Sequence, residues 1–344
     1  MLEHWKCLIA SLAVAAVAMP SGATAQSGGM LKVVKDRGEL VCGVNQGRYG
    51  FASADDRGKW TGLDVDFCRA VAAAVLGDSE KVRYIPLSSV QRFPALQSGE
   101  VDILSRTTTI NLTRDAALGF NFSPVTFYTG TGFMVRKDLN VTKVDEMDGA
   151  TICVLPGSTT EKNVSSLFAA RNMTYNAVVI EKNTELVSAY LSGRCDVLSM
   201  DQAGLPGHRR FDAPNPDEHF ILPGVFSKEP LALAVRHGDD QWYDIIKWAV
   251  MATFEAEETG VSSENVDKML ESDNPAVKRL LGKEGDLGKK LGLDNEWAYR
   301  IIKQVGNYED IYERGFGKKS PLDLERGLNS LWTKGGLLYS YPFN

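Results

Sequence analysis

Several ingredients are scarce in this chain. It has five cysteines with no Cys-x-x-Cys pair, and four histidines in 344 residues. A structural zinc site therefore has no recognisable ligand set. No Gly-x4-Gly-Lys-Ser/Thr spacing occurs, since "GFGKKS" at 315–320 lacks it, and no P-loop nucleotide site is encoded. There is no low-complexity run and no long block of like charge, and the net charge is −6. Holding nucleic acid by its phosphates needs clustered Lys and Arg, so a broad polyanion-binding surface is disfavoured. A mildly acidic balance instead keeps a protein soluble. No apolar run reaches the ~20 residues needed to span a membrane.

The run that comes nearest is "CLIASLAVAAVAMP" at 7–20, followed by "SGATAQ". Lys6 supplies a weak positive flank, and Ala23-Thr24-Ala25 has the small-x-small form that signal peptidase reads. Residues 1–25 are expected to be a signal peptide cleaved after Ala25, with the mature chain exported and not inserted in a membrane. Cys7 lies before the apolar core and no Cys follows the cleavage site directly, so lipid anchoring there is not indicated. Export places Cys42, Cys68, Cys153 and Cys195 in an oxidising compartment. Four cysteines allow three pairings, and spacing alone does not choose among them.

What the chain does have is a phrase written twice. "LQSGEVDILS" at 96–105 returns as "YLSGRCDVLS" at 190–199, with Ser98, Gly99, Asp102, Leu104 and Ser105 matching Ser192, Gly193, Asp196, Leu198 and Ser199. Two copies do not make a solenoid, which needs three or more stacked units. Each copy reads as a helix end, its Gly C-cap and the strand that follows. Around the first lie "ELVCGVN", "GLDVDFCRAVAAAVLG", "VRYIPL", "QRFPALQSG" and "VDILS", in the order strand, helix, strand, helix, strand. Around the second, "ATICVLPG", "TTEKNVSSLFAARN", "YNAVVI", "NTELVSAYLSG" and "CDVLSMD" repeat the plan. Short connections of this kind imply mostly parallel sheets flanked by helices, with right-handed crossovers.

An α/β protein of two similar lobes is expected: 26–133 as lobe 1, 134–230 as lobe 2, and 231–344 as a return to lobe 1 with a helical C-terminal extension. The extended stretches "GTGFMVRK" at 130–137 and "PLALAVRHG" at 230–238 are the expected crossings. Within-lobe disulfides follow, 42–68 and 153–195, because a bond between lobes would obstruct their relative motion.

In open α/β sheets ligands bind beyond the carboxyl ends of the strands. After "VDILS" come Thr107, Thr108, Thr109 and then Arg114 at the start of a helical stretch; after "CDVLS" comes Asp201. In "LPGSTTEKN", Ser158 with Glu161 fits a capping box, and a helix start of that kind suits an anion. Separately these are a surface arginine, β-forming threonines and ordinary caps. Together they describe a cleft for one carboxylate, through Arg114, the threonine hydroxyls and a helix N-terminus, and for one ammonium, through Asp201. That is the headgroup of a free α-amino acid.

The segments "GLDVDFCRAVAAAVLGD", "RFPALQSGEVDILSRTTT", "TGFMVRK", "GRCDVLSMD", "SKEPLALAVRHGDDQW" and "SPLDLERGLNSLWTKGGLLYSYP" resemble the general L-amino-acid-binding subgroup of bacterial periplasmic solute-binding proteins, family 3. The resemblance covers essentially the whole mature chain. It implies that Arg114 holds a ligand carboxylate with Thr107 and Thr109 beside it, that Thr159 adds a contact from lobe 2, and that Asp201 takes the ammonium. It also places Asn45, Ser89 and Arg106 near the side-chain pocket. Shorter relatives that take basic amino acids usually carry an acidic residue where Asn45 stands and Ser where Arg106 stands. Both departures argue against cationic ligands.

The implied protein is the soluble receptor of an amino-acid ABC importer, a monomer without cofactor or metal that closes on a free L-amino acid and meets membrane permease subunits. Two alternatives stand beside it. One is an exported enzyme on the same fold, such as a periplasmic dehydratase, for which Glu181 or Glu185 are the candidate acids. The other is a sensor that reports ligand to a membrane receptor.

Overall fold

The computed structural model describes residues 29–344. The expected signal peptide, its cleavage after Ala25 and Cys7 lie outside the described residues.

The chain opens with α1 (Gly29–Arg37) and β1 (Leu40–Val44). A small hairpin follows, β2 (Ser53–Ala54) with β3 (Trp60–Thr61). Helix α2 (Leu63–Leu76) is next; Asp64 and Asp66 in its first turn complement the helix dipole. It stops at Gly77, whose φ of +77° lets its N–H return to the Ala73 carbonyl. Its four alanines and Val65, Val71 and Phe67 are buried, so strands pack against one side and helices against the other. Then come β4 (Val82–Pro86), α3 (Arg92–Ser98), β5 (Ile103–Thr109), a single wide helical turn at Thr113–Ala117, β6 (Phe120–Phe122) and β7 (Phe127–Thr129).

The second lobe comprises β8 (Thr131–Arg136), β9 (Thr151–Val154), α4 (Thr159–Ala170), β10 (Asn176–Val179), α5 (Asn183–Leu191), β11 (Val197–Asp201), α6 (Leu205–Phe211) and β12 (His219–Ile221). Strand β13 (Glu229–Arg236) and α7 (Asp240–Glu258) return to the first lobe. Helices α8 (Val266–Met269), α9 (Pro275–Leu280), α10 (Leu287–Lys290), α11 (Trp297–Gln304) and α12 (Tyr308–Gly315) complete the chain. The helical extension is structural: Ile301, Tyr308, Tyr312 and Phe316 share one core with α2 and α7.

One sheet runs β4-β1-β5-β13-β6, with β7 also on β13; the other runs β10-β9-β11-β8-β12. The two have the same plan. Three parallel strands form one side of each, and the neighbours on the other side are antiparallel. The sheets are thus mixed where mostly parallel ones were expected, because β8 and β13 enter their sheets directly from the opposite lobe, with no helical crossover to turn them. Both crossings are shorter than the stretches expected. "TGFMVR" is β8 and "PLALAVR" lies within β13, leaving Gly130 as one crossing and residues 222–228 as the other. The two run so close that a methyl group at Gly130 would lie 2.1 Å from Val225 Cγ1 and 2.4 Å from the Ser227 carbonyl.

The repeated phrase does the same work twice. Asp102 accepts the Val41 amide at 2.7 Å and returns its own N–H to the Val41 carbonyl at 2.9 Å. Asp196 accepts the Thr151 amide at 2.9 Å and donates to the Thr151 carbonyl at 2.9 Å. In each lobe the aspartate sets the register between its strand and the one beside it.

The cysteines pair within lobes, Cys42 with Cys68 and Cys153 with Cys195, at Cα separations of 6.2 and 5.7 Å. Cys195 lies in the turn just before β11, not on the strand as its sequence suggests. The loops closed span 26 and 42 residues. Chain-entropy arguments then give about 3–4 kcal/mol of stabilisation each. Replacing either pair by two alanines is expected to lower unfolding stability by that order in urea melts, with non-reducing peptide maps showing no link between lobes.

Candidate functional site

Strand β5 is where the first lobe acquires its polar wall. Thr108 pairs with Ala232 and Leu104 with Ala234, so residues 105–107 bulge opposite the single residue Leu233. Within the bulge Thr107 has a φ of +41°, a strained value for a β-branched residue. Its freed N–H donates to the Asp64 carboxylate at 2.9 Å. The carbonyls of Arg106 and Thr107 each accept from Arg92 Nη1 at 3.4 Å. Two buried charged side chains therefore satisfy the backbone that the bulge releases, which a buried backbone requires. The result turns Arg106 and Thr107 toward the second lobe.

There they meet a cavity of about 20 Å³, lined by Arg48, Ser89, Arg92, Arg106 and Thr107 from the first lobe and by Leu155, Ser158, Thr159, Thr160, Ser199, Met200 and Asp201 from the second. That is room for about one water, far below the ~300–1,000 Å³ usual for small-molecule sites, so the lobes must part to admit a ligand. Ser158 caps α4, accepting the Glu161 amide at 3.1 Å, while the Glu161 carboxylate takes the Gly157 amide at 2.9 Å. Asp201 ends β11 and is buried, and its carboxylate pairs with the guanidinium of Arg48 from the other lobe.

The lobes are drawn together at several other points. The Thr109 and Thr159 hydroxyls are 3.2 Å apart, and both bond the Glu229 carboxylate at the start of β13. Asn163 and Ser227 also bond Glu229, so one carboxylate ties β5 of the first lobe and α4 of the second to the returning crossing. On the far side Tyr49 donates to Asp212 at 2.9 Å and packs edge-on to His208. Its Cβ sits where a side chain at Gly207 would stand, 2.5 Å away. Asn183 donates to the Gly47 carbonyl at 2.6 Å, and Ser88 donates to Glu181 at 2.6 Å.

Two lobes of one plan, closed on a buried polar cavity at the carboxyl ends of their sheets, match a known family: residues 40–264 fit the description bacterial extracellular solute-binding proteins, family 3. The chain belongs to that family. It is 54% identical over 334 residues to a general L-amino acid-binding periplasmic protein of Rhizobium johnstonii, covering 96% of this chain and 98% of that one. It is 47% identical over 331 residues to a glutamate/glutamine/aspartate/asparagine-binding protein of Rhodobacter capsulatus, covering 96% and 97%. Among solved structures it resembles an ABC transporter/periplasmic binding protein from Brucella ovis with glutathione bound, at 50% identity and a TM-score of 0.89, covering 91% of this chain and 99% of that one.

In this solute-binding protein, six of the residues singled out from sequence line the cavity: Ser89, Arg106, Thr107, Ser158, Thr159 and Asp201. The other three adjoin those lining residues. Asn45 donates to the Thr107 hydroxyl at 3.3 Å, Thr109 bonds Thr159, and Arg114 donates to the Thr109 carbonyl at 2.7 Å with its guanidinium over the Phe93 ring. Thr107 and Thr109 are inside β5 and not beyond its end, because the bulge extends the strand. Asp201, expected to stand free for an ammonium, faces Arg48 in this closed arrangement. Glu181 does reach the boundary between lobes; Glu185 pairs with Lys182 on the surface. Arg48, Asp64, Arg92 and Glu229 were not singled out. Arg48 and Glu229 meet second-lobe residues of the site that are distant from them in sequence. Arg92 and Asp64 matter through a bulge that no local pattern announces.

Burial dominates the electrostatics. It lowers Arg106 to about 9 and Arg114 to about 10, and pushes Arg92 well below the usual guanidinium range with the charges of Arg106 and Arg114 adding to the effect. It raises the Glu229 carboxyl, helped by the charge of Asp201. It raises Asp64 to about 7, against the Thr107 amide and the charges of Arg106 and Arg48. Because the folded state holds this proton more tightly than the unfolded chain, Asp64 favours folding most at low pH, and the advantage is lost as pH rises from 3.8 toward about 7. Asp64→Asn keeps an acceptor for the Thr107 amide and removes the titration. Urea unfolding across this range is expected to show wild-type stability falling relative to Asp64→Asn, by at most about 1.4 kcal/mol per pH unit, and parallel curves above it.

Proposed function

We propose that this protein is the extracytoplasmic receptor of an amino-acid ABC importer, binding free L-amino acids in the cavity between its lobes and performing no chemistry on them. Arg114 and Thr107, Thr109 and Thr159, with the N-terminus of α4 capped by Ser158, hold the ligand carboxylate. Asp201 holds the ammonium, and Asn45, Ser89 and Arg106 border the side chain. The chain is exported, loses residues 1–25, and meets its permease subunits as a monomer. The observation that carries this reading is the pairing of opposite charges across the cleft. One lobe supplies buried guanidinia and the other a buried carboxylate. A zwitterion presents the complement of both, so it binds the closed state more tightly than the open one and shifts the population toward closure.

The relatives' ligands support the class, from general L-amino acids to glutamate, glutamine, aspartate and asparagine, and to glutathione in the Brucella ovis structure. A calorimetric panel of the common L- and D-amino acids with glutathione included ranks the ligands. Mass spectrometry of the same mixtures after incubation is expected to return them unchanged; turnover would make the protein an enzyme.

Each charged anchor leaves its counterpart buried and unpaired when removed, a loss of about 2–5 kcal/mol. Arg114→Ala and Asp201→Ala are each expected to weaken binding roughly 30-fold or more. Near-wild-type binding by both variants would place the site elsewhere. Small-angle scattering is expected to show a smaller radius of gyration with saturating ligand, the motion absorbed at Gly130 and residues 222–228. An expansion on binding would exclude closure.

A further inference from the structure

Three arginines line the cavity against one carboxylate, and they are not held alike. Arg106 is fixed to its own lobe by Nε donating to the Leu87 carbonyl at 2.9 Å. Arg92 is fixed by the bulge carbonyls of Arg106 and Thr107. Arg48 has no side-chain bond within its own lobe. Its guanidinium reaches across to Asp201, forming the one ion pair that joins the lobes among the described residues. The Arg48 side chain is 4% exposed, and its Nε, like that of Arg92, is buried without a partner; of the two, only Arg48 reaches across the cleft.

An unpaired N–H on a buried guanidinium is costly, and the cost is removed by an acceptor brought into the cavity. The headgroup of an amino acid adds one charge of each sign and leaves the surplus of guanidinia as it was. A second carboxylate on the side chain reduces it. We propose that Arg48 is the specificity-determining residue of this cavity, bridging Asp201 and the side-chain carboxylate of an α-amino dicarboxylate. The inference rests on the reading of the cavity as an amino-acid site. Arg106, placed by the resemblance near the side-chain pocket, has its Nε committed to the Leu87 carbonyl of its own lobe. Arg48 joins the lobes only when they close, so it senses the ligand's side chain at the step that completes binding. Its planar fork suits two carboxylates at once, which a lysine ammonium does not reproduce.

The test is calorimetry with L-glutamate, L-glutamine and L-alanine on the full mature chain and on Arg48→Met and Arg48→Lys. The backbone of Arg48 is paired independently of its side chain, its N–H to the Ala52 carbonyl at 2.7 Å and its carbonyl to the Ala52 amide at 2.9 Å, so the loop keeps its shape. Arg48→Met is expected to weaken glutamate about tenfold or more while glutamine and alanine change less than about threefold. If Arg48→Met does not fold, Arg48→Lys carries the test, with a loss of about fivefold or more for glutamate and little change for glutamine. Equal losses for all three ligands would overturn the assignment, since Arg48 would then serve closure alone; so would unchanged glutamate binding. Binding of none of the three by the wild-type chain would overturn the amino-acid reading itself, a result distinct from either.

Discussion

The cleft depends on a defect in a strand. Where β5 bulges against β13, it exposes backbone groups that a regular ladder would have paired. Asp64 and Arg92 fill that need from α2 and α3, each buried and each aimed at the bulge. The arrangement commits two charges to the interior, which is tolerable only because each is hydrogen-bonded. In return Arg106 and Thr107 turn out of the regular pleat and face the second lobe. Had β5 continued in register, its alternating side chains would have pointed into the two helical layers and left that wall apolar.

The second lobe needs no such device. There the site is built from strand ends and one helix start, with Ser158 capping α4 and Asp201 closing β11. The asymmetry has a mechanical meaning. The first lobe is the larger core, reinforced by α7 and the aromatic packing of Tyr308, Tyr312 and Phe316, and it carries the rigid guanidinia. The second lobe has two smaller cores and brings its carboxylate and hydroxyls to the first. Glu229 stands where the two meet, bonded to Thr109, Thr159 and Asn163 at the mouth of one crossing. Closure is therefore read out at the connection itself, where small changes in angle move the lobe tips furthest.

Contacts across the lobes are mostly polar, and most are single hydrogen bonds such as Asn183 to Gly47 or Tyr49 to Asp212, with the Tyr49 ring also packed on Phe211. Each is of the order of 1 kcal/mol net, so the empty protein and the closed one differ by an amount that a small ligand is able to outweigh. An apolar seam of the same extent would close the cleft permanently. The close approach of Tyr49 to Gly207 shows how little space the closed state leaves.

Much of the protein was legible in its sequence. Periodicity and cap residues marked α2, α4, α5 and the strands around them, and the repeated phrase announced two lobes of one plan, because these signals are local and are written in consecutive residues. The within-lobe disulfides followed from that plan. Of the six cavity residues named, Thr107, Ser158 and Asp201 followed from where ligands collect at strand ends, and Thr159, Ser89 and Arg106 from the family resemblance. What only the tertiary structure decided was everything set by partners distant in sequence. The antiparallel halves of the sheets arise from strands that arrive across the lobes. The bulge at 105–107 depends on residues 64, 92 and 233. The pairing of Arg48 with Asp201 joins positions 153 residues apart that become neighbours only when two separately folded lobes meet. Local sequence specifies the elements, and it carries no record of which buried charges they will bring together.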